Sequence, residues 1–455
     1  VSRRRRSSVP VYKGHFGPAE AERLLWRAGF GPRPGEAKKY AKLGMKRSVN
    51  LLVHPKGKTK LTGAQAPKLD ERLSPIDHYG HDHIWWLDRM VRSNNPLQER
   101  MALIWHDWFA TSNDGVGSQQ LMIRQNQLFR RTGLGSFKSL LLNVTKDPAM
   151  LLWLNGTDNR KDSPNENYGR EMMELFTLGA DAHYSEHDVR EQARALTGWT
   201  NDYKNGPVNF RFKKDLHDAG RKTIFHKKGN FDWQDSCMLC LRHPDHAGFF
   251  VKKLWSYFIP VPLKGKDLKA FKRLYIGSGY KIKPVVRAIL MHPAFYRGPS
   301  MMKPPIVFTA GLMRTRNAGL TSDAWAWLAE LSGQRLFYPP NVSGWDDDAW
   351  LDTGTFRGRW NAVTYATRDD LLDPGDDKLV EGWPIDETPQ QAYDKVLAFW
   401  ANPSITGPSR GVLLEFARLA GDQADSAKWK KQPFRVMRQN AMRSLLAMSP
   451  DHQTC

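Results

Sequence analysis

Through most of this chain apolar residues return every three or four positions, and glycine or proline ends each run, a pattern that suits one face of an α-helix rather than a strand. In AEAERLLWRAGFGPRPGEA, Ala19, Ala21, Leu24, Leu25 and Ala28 keep that spacing until Gly29, Gly31 and Pro32 stop it. EAKKYAKLG, Ile84 to Val91 and Leu97 to Ala110 repeat the signal, and Pro96 stands where a first-turn proline opens the last of these. Residues 55–74, rich in Lys, Gly and Pro, read as a loop. Two later helices, ending LLLNVTKDPAM and VVRAILMHPAF, both stop at a polar residue before Pro-Ala; this internal echo is too short to count as a repeat. Between Pro207 and Asp232 the period changes, because NFRFK and KTIFHKKGNFD alternate aromatic and β-branched residues beside Gly229-Asn230. The expected fold is therefore mainly α, a multi-helical globular fold with a small β-hairpin insertion. With 455 residues the chain exceeds the usual size of a single core. We expect a basic tail over 1–18, a main helical domain over 19–300 with the hairpin near 207–232, and a C-terminal helical part over 301–455 packed on it or continuous with it.

A hydrophobic content of 40% and 17 tryptophans exclude a disordered polyelectrolyte. The net charge of +21 predicts a surface field that gathers anions, whether phosphate, nucleic acid, acidic glycan or anionic membrane, but it also serves plain solubility. Cys237, Cys240 and Cys455 cannot build a disulfide framework, so stability must come from the core, which fits the cytoplasm. No run approaches the roughly 18 apolar residues of a membrane span, and Arg3 to Arg6 are not followed by the apolar stretch of a signal peptide. The chain reads as soluble and, as it stands, cytoplasmic; export applies if a leader precedes Val1. Absence of a P-loop, of GxGxxG after a strand, of HExxH and of GxSxG lowers the standing of nucleotide-dependent and common serine-hydrolase chemistry.

The densest polar segment is PNENYGREMMELFTLG, residues 164–179. A helix starting near Asn165 puts Glu166, Arg170 and Glu174 four residues apart on one stripe, with Glu171 beside it and Met172, Leu175 and Phe176 on the apolar side. Two carboxylates around one guanidinium can hold different protonation states, as acid–base chemistry requires, or can be ordinary ion pairs on a solvated face. SEHD at 185–188 has the form of a capping box, and DVREQARALTGW runs on to Gly198. A short connection through Gly179 would fold the two helices together and bring Arg194 and Trp199 near Asn165 and Asn167.

Four further constellations carry candidate chemistry. WHDWFATS sets His106 and Asp107 at a helix C-terminus, which favours a protonated imidazole, although a histidine among tryptophans is usually packed core. HDAGRKT offers His217, Asp218 and Lys222 on a turn: an acid or base with an anion-binding lysine, or a turn and nothing more. Asp346 to Asp348, bracketed by Trp345 and Trp350, suit a hard cation, a sugar stacked on tryptophan, or solvated turn formers. CMLCLRHPDH places Cys237, Cys240, His243 and His246 three residues apart, but a continuous helix spreads such ligands around its surface, so zinc there is disfavoured. No cofactor is otherwise indicated.

RLLWRAGFGPRPGE, NPLQERMALIWHDWFATS, LFRRTGLGSFKSLLLNVTKDPAMLLWLNG, PNENYGREMMELFTLG, YSEHDVREQARALTGWT, HDAGRKT, GNFD and PPNVSGW occur in fixed order from residue 20 to about 360. In these motifs the chain resembles the large bacterial proteins of the domain of unknown function 1800 family. The resemblance implies a mainly helical fold and, for many members, export, but no activity. Trp108 departs from the pattern, since a second histidine often stands there, and no exported member's leader is present. Two functional readings stay open. The first is a hydrolase-like enzyme in which Glu166, Glu171, Glu174, His106 or His217 supplies acid–base catalysis while Asn165, Asn167, Arg170, Arg194, Trp199, Asp218, Lys222 and Trp345 bind a polymeric or anionic substrate such as a glycan. The second is a non-catalytic binding or assembly protein for an anionic polymer, nucleic acid included, with the Glu and Arg residues forming a structural network.

Overall fold

Apolar stripes that cover a whole helix, rather than one face, mark the centre of the molecule. The computed structural model describes residues 8–202, 208–372 and 384–455, so Arg3 to Arg6 and Pro207 lie outside it. Among the described residues 24 α-helices stand against two small two-stranded antiparallel sheets, which makes the fold mainly α, as expected. Helix Pro96–Trp108 is buried almost all round, and so is helix Pro305–Arg316. The first packs on helix Gln119–Thr132, the second on helices His81–Arg92 and Thr353–Thr367. One buried apolar cluster runs from Tyr12 to Met448, with Trp86, Trp105 and Trp108 wholly enclosed. Side chains from both sides of residue 300 share it.

The β insertion differs in detail from the expected hairpin. β1 (Trp199–Asp202) pairs with β2 (Val208–Phe212), Trp199 opposite Phe212, with a bulge between Thr200 and Asp202. β3 (Lys222–Ile224) pairs with β4 (Lys227–Gly229). The second reversal falls at Phe225-His226, both at positive φ (50° and 61°), and not at Gly229-Asn230. Such a turn ordinarily selects Gly or Asn. Here tertiary contacts hold it: the Phe225 N–H donates to Asp188 Oδ1 at 2.7 Å, and its ring packs on His243 with centroids 4.7 Å apart.

The sequence echo has a spatial counterpart. Helices Phe137–Thr145 and Ile282–Leu290 begin side by side, because Phe137 N–H donates to Tyr280 O and Ile282 N–H to Gly135 O, both at 2.9 Å. Each is followed by a short proline-initiated helix whose N-cap side chain, Asp147 or His292, accepts a backbone N–H.

Candidate active site

Rotation of helix Pro96–Trp108 is set by Glu99, whose carboxylate is fully buried and takes two hydrogen bonds from Arg130, at 2.7 and 2.8 Å, and one from Arg89 at 3.3 Å. With Glu99 fixed toward those arginines, Arg100, Leu103, Ile104 and Asp107 fall on another stripe, at i, i+3, i+4 and i+7, and line a cavity of about 140 Å³. Lys253 and Ser256 from helix His246–Ser256, Tyr257 just beyond it, and Trp345, Asp347 and Trp350 from the PPNVSGWDDDAW loop complete its walls. Ser256 and Asp347 are exposed, so the cavity opens to solvent there. A larger hollow of about 590 Å³ beneath residues 8–11 has an aliphatic floor beside His54, Arg273, Lys283 and Arg287, and no carboxylate lines it.

Asp107 is held on both oxygens: the Tyr257 hydroxyl donates to Oδ2 at 2.6 Å and the Trp345 N–H to Oδ1 at 2.9 Å. Gly344, at φ 98°, makes the second bond attainable, because a Cβ there would run into Asp107 Oδ1 and lie 3.0 Å from its carbonyl oxygen. Burial pushes the Asp107 carboxyl up, while the Tyr257 hydroxyl, the Trp345 N–H and the charges of Lys253 and Arg100 pull it back. Although much of Asp347 is exposed, desolvation on the cavity side and then the charge of Asp107 push its carboxyl up to about 7. Burial pulls the Lys253 ammonium down to about 8, Asp107 opposing. Arg100 is 4% exposed, its Nε is buried without a partner, and among the described residues no hydrogen bond or ion pair reaches its guanidinium. Two carboxyls, both pushed up by burial, and two cations thus share one small opening.

PNENYGREMMELFTLG contributes to this site from behind. Asn165 caps the helix, its Oδ1 accepting from Asn167 N–H at 2.9 Å, but the α-helix ends at Glu171 and a π-helical turn, Met172–Thr177, follows. The wider turn carries Glu174 out of the expected stripe. Arg170 therefore pairs with Glu166 (3.2 Å) and with Glu186 (2.7 Å) of helix Glu186–Ala195, in place of Glu174, on a partly exposed surface. Glu171 is half-buried, its carboxyl pushed up by burial and by the charge of Glu174. Three carbonyls of the π turn serve other elements: Leu175 accepts from Lys253 Nζ (3.0 Å), Phe176 from Trp108 Nε1 (3.1 Å), and Thr177 bonds His246 Nδ1 (2.9 Å). The segment positions Lys253, while Glu166, Glu171 and Glu174 stay outside the Asp107 cavity.

The helix pair expected around Gly179 is present. Gly169 allows the close approach, since a Cβ on it would lie 3.1 Å from Ala193 N and 3.2 Å from Val189 O. Asn159 bridges the pair, donating to Ala193 O and accepting from Asn165 N–H, both at 2.9 Å. Arg194 is committed to Asp218 and Glu191, each at 2.7 Å, and Lys222, buried, donates to Gly220 O (3.0 Å) and Asp218 O. His217 is half-buried against Phe212, with Nδ1 3.0 Å from Thr197 O; Trp199 packs on Phe212 and Trp233. These residues tie the β ribbons to the helices.

His106 faces inward, 1% exposed among Trp86, Phe337 and Trp345, with ring centroids 5.4–5.6 Å away. Against the expectation of a protonated imidazole, burial pulls it down to about 3. Of the candidates from the sequence, His106 and Trp345 are brought together beside the cavity, and Trp345 lines it. The CMLCLRHPDH groups point apart. Cys237 contacts Thr145 (3.2 Å), Cys240 accepts from Gln192 (3.1 Å), His246 bonds Thr177 O and Tyr275 Oη (3.0 Å), and His243 packs on Phe225. No cluster of three or more His, Cys, Asp or Glu suited to a metal occurs among the described residues.

Arg100, Lys253 and Tyr257 escaped the sequence reading, and Asp107 and Asp347 were seen only as parts of WHDWF and DDD. One signal was available: Arg100 and Asp107 are seven apart on one face of a largely apolar helix that also carries Gln98, Glu99 and His106, where a charge needs a reason. A family profile described as "Protein of unknown function (DUF1800)" matches residues 23–454. No curated protein and no solved structure matches the chain.

Proposed function

Because the chain belongs to the DUF1800 family of proteins of unknown function, whose name carries no activity, we propose from the site that it is an enzyme with hydrolase-like acid–base chemistry acting on a polymeric or anionic substrate, a glycan being the concrete case. The observation that carries the reading is the pairing, at one solvent-reachable cavity, of Asp107, fixed by two donors, with Asp347, whose proton is held up to about 7. A protonated acid at the mouth, Asp347, beside a second carboxyl oriented at the floor, Asp107, is the pairing that bond cleavage with proton donation to the leaving group uses. Asp107 would activate water or attack, Asp347 would supply the proton, and Tyr257 and the Trp345 N–H would keep Asp107 oriented. A cavity of about 140 Å³ admits an end group, so the rest of a chain would lie along the exposed rim.

The test is an activity screen over acidic and neutral polysaccharides and ester or phosphate-bearing polymers, followed by Asp107→Asn and Asp347→Asn. Each should lower turnover by 10² or more without lowering the melting temperature, and activity should fall as pH rises through about 7, where Asp347 loses its proton. Turnover unchanged in both variants ends this assignment. The binding reading draws on the net charge of +21 and on the pairing of Arg170 and Arg194 with neighbouring acids; retention on an anionic polymer that salt abolishes, with no turnover, would favour it.

A further inference from the structure

Buried arginines in this protein are, as a rule, saturated by acceptors. Arg27 donates to the carbonyls of Phe258, Phe295, Pro299 and Cys455. Arg314 donates to those of Gly31, Met90, Val91 and Ser93, and Arg359 to Trp350 O, Lys303 O and Gln453 Oε1. Arg100 breaks the rule. It is nearly as enclosed, 4% exposed against their 0–2%, it lines the Asp107 cavity, and among the described residues no acceptor is within hydrogen-bond reach of it. Asp107 lines the same cavity and its charge acts on Arg100, but its two hydrogen bonds come from Tyr257 and Trp345, and neither a hydrogen bond nor an ion pair joins it to the guanidinium. The Arg100 Nε is kept from water without an acceptor, which is costly, and the planar fork facing the cavity matches one ligand class best, an oxyanion held by two parallel N–H bonds.

We propose that Arg100 is the anchor for a carboxylate or phosphate group of the substrate, with Lys253 as the second cation lining the same cavity. The inference deepens the proposed active site and rests on it for the orientation of the scissile bond. It narrows the substrate class to molecules with a compact anionic group, the size the cavity accepts. Asp107 does not defeat the anchor: its charge is met by two donors, and Asp347 carries its proton for much of the time near neutrality.

Calorimetric titration of the full chain with inorganic phosphate and, separately, acetate, at constant ionic strength in chloride, tests it. Saturable one-to-one binding of at least one anion is expected, and the stronger binder identifies the headgroup. Arg100→Met should weaken it at least tenfold and Arg100→Lys by less. The ligand-free Arg100→Met protein should melt at or above the wild type, because a buried charge without a partner has been removed. Binding that survives Arg100→Met, or absence of saturable binding in the wild type, overturns the proposal. So does an Arg100→Met protein that melts lower, or fails to fold, while Arg100→Lys restores stability without binding anion. Asp107→Asn should keep phosphate or acetate binding. If turnover survives Asp107→Asn and Asp347→Asn while Arg100→Met abolishes anion binding, the catalytic assignment falls and the anchor stands.

Discussion

Substitution of Gly344 by alanine tests whether the Asp107 carboxylate is held where the structure places it. Two costs arise. At φ 98° an L-residue is strained by roughly 1–2 kcal/mol. The new methyl would also overlap Asp107 Oδ1 and crowd the Asp107 carbonyl, so the carboxylate must swing off the Trp345 N–H, forfeiting a bond to a charged group of about 1.5–3 kcal/mol. Together they amount to roughly 3–5 kcal/mol. With an unfolding entropy near 2.1 cal/mol/K per residue, a cooperative unit of 455 residues loses about 1 °C per kcal/mol, so a fall of roughly 3–5 °C is expected by circular dichroism. Gly117→Ala is the control: its φ is 63° and nothing lies within 4 Å of the added Cβ, so only the strain, about 1 kcal/mol, should appear. Equal shifts in the two variants, or no shift at Gly344, would refute the claim that Asp107 is fixed by the Trp345 loop.

Two further outcomes are expected. Glu99→Ala leaves Arg130 in a nearly enclosed site without its acid, which should cost about 3–5 kcal/mol by urea denaturation; it should also weaken anion binding at Arg100, whose helix loses its rotational lock. His106, pulled down to about 3 from the ordinary 6.5, contributes stability that is present above pH 6.5 and lost as pH falls toward 3. Between pH 7 and 5 the loss from this group should approach about 2 kcal/mol, and His106→Phe should flatten that part of the stability–pH curve; an unchanged slope would count against the burial argument.

Much of the fold was legible because helix patterning is local. Apolar spacing with Gly and Pro stops located helices such as Pro96–Trp108, and the capping box at Ser185 was read from four residues. The strand ribbons were less legible, since their turn at Phe225-His226 is sustained by Asp188 and His243, contacts no local propensity encodes. The same limit applied to the polar helix at 164–179. Its residues announced a functional density, but the π turn altered which acid meets Arg170 and aimed backbone carbonyls, rather than carboxylates, at the cavity wall.

By itself the sequence determined helix positions, the overall positive charge, the family and the polar residues from which any chemistry must be drawn, because each follows from composition or from spacing within a few turns. Only the tertiary structure decided which of those residues share a wall. Arg100, Asp107, Lys253, Tyr257 and Asp347 come from segments up to some 250 positions apart, and enclosure, which no single segment carries, is what shifts their proton affinities and leaves one guanidinium without an acceptor.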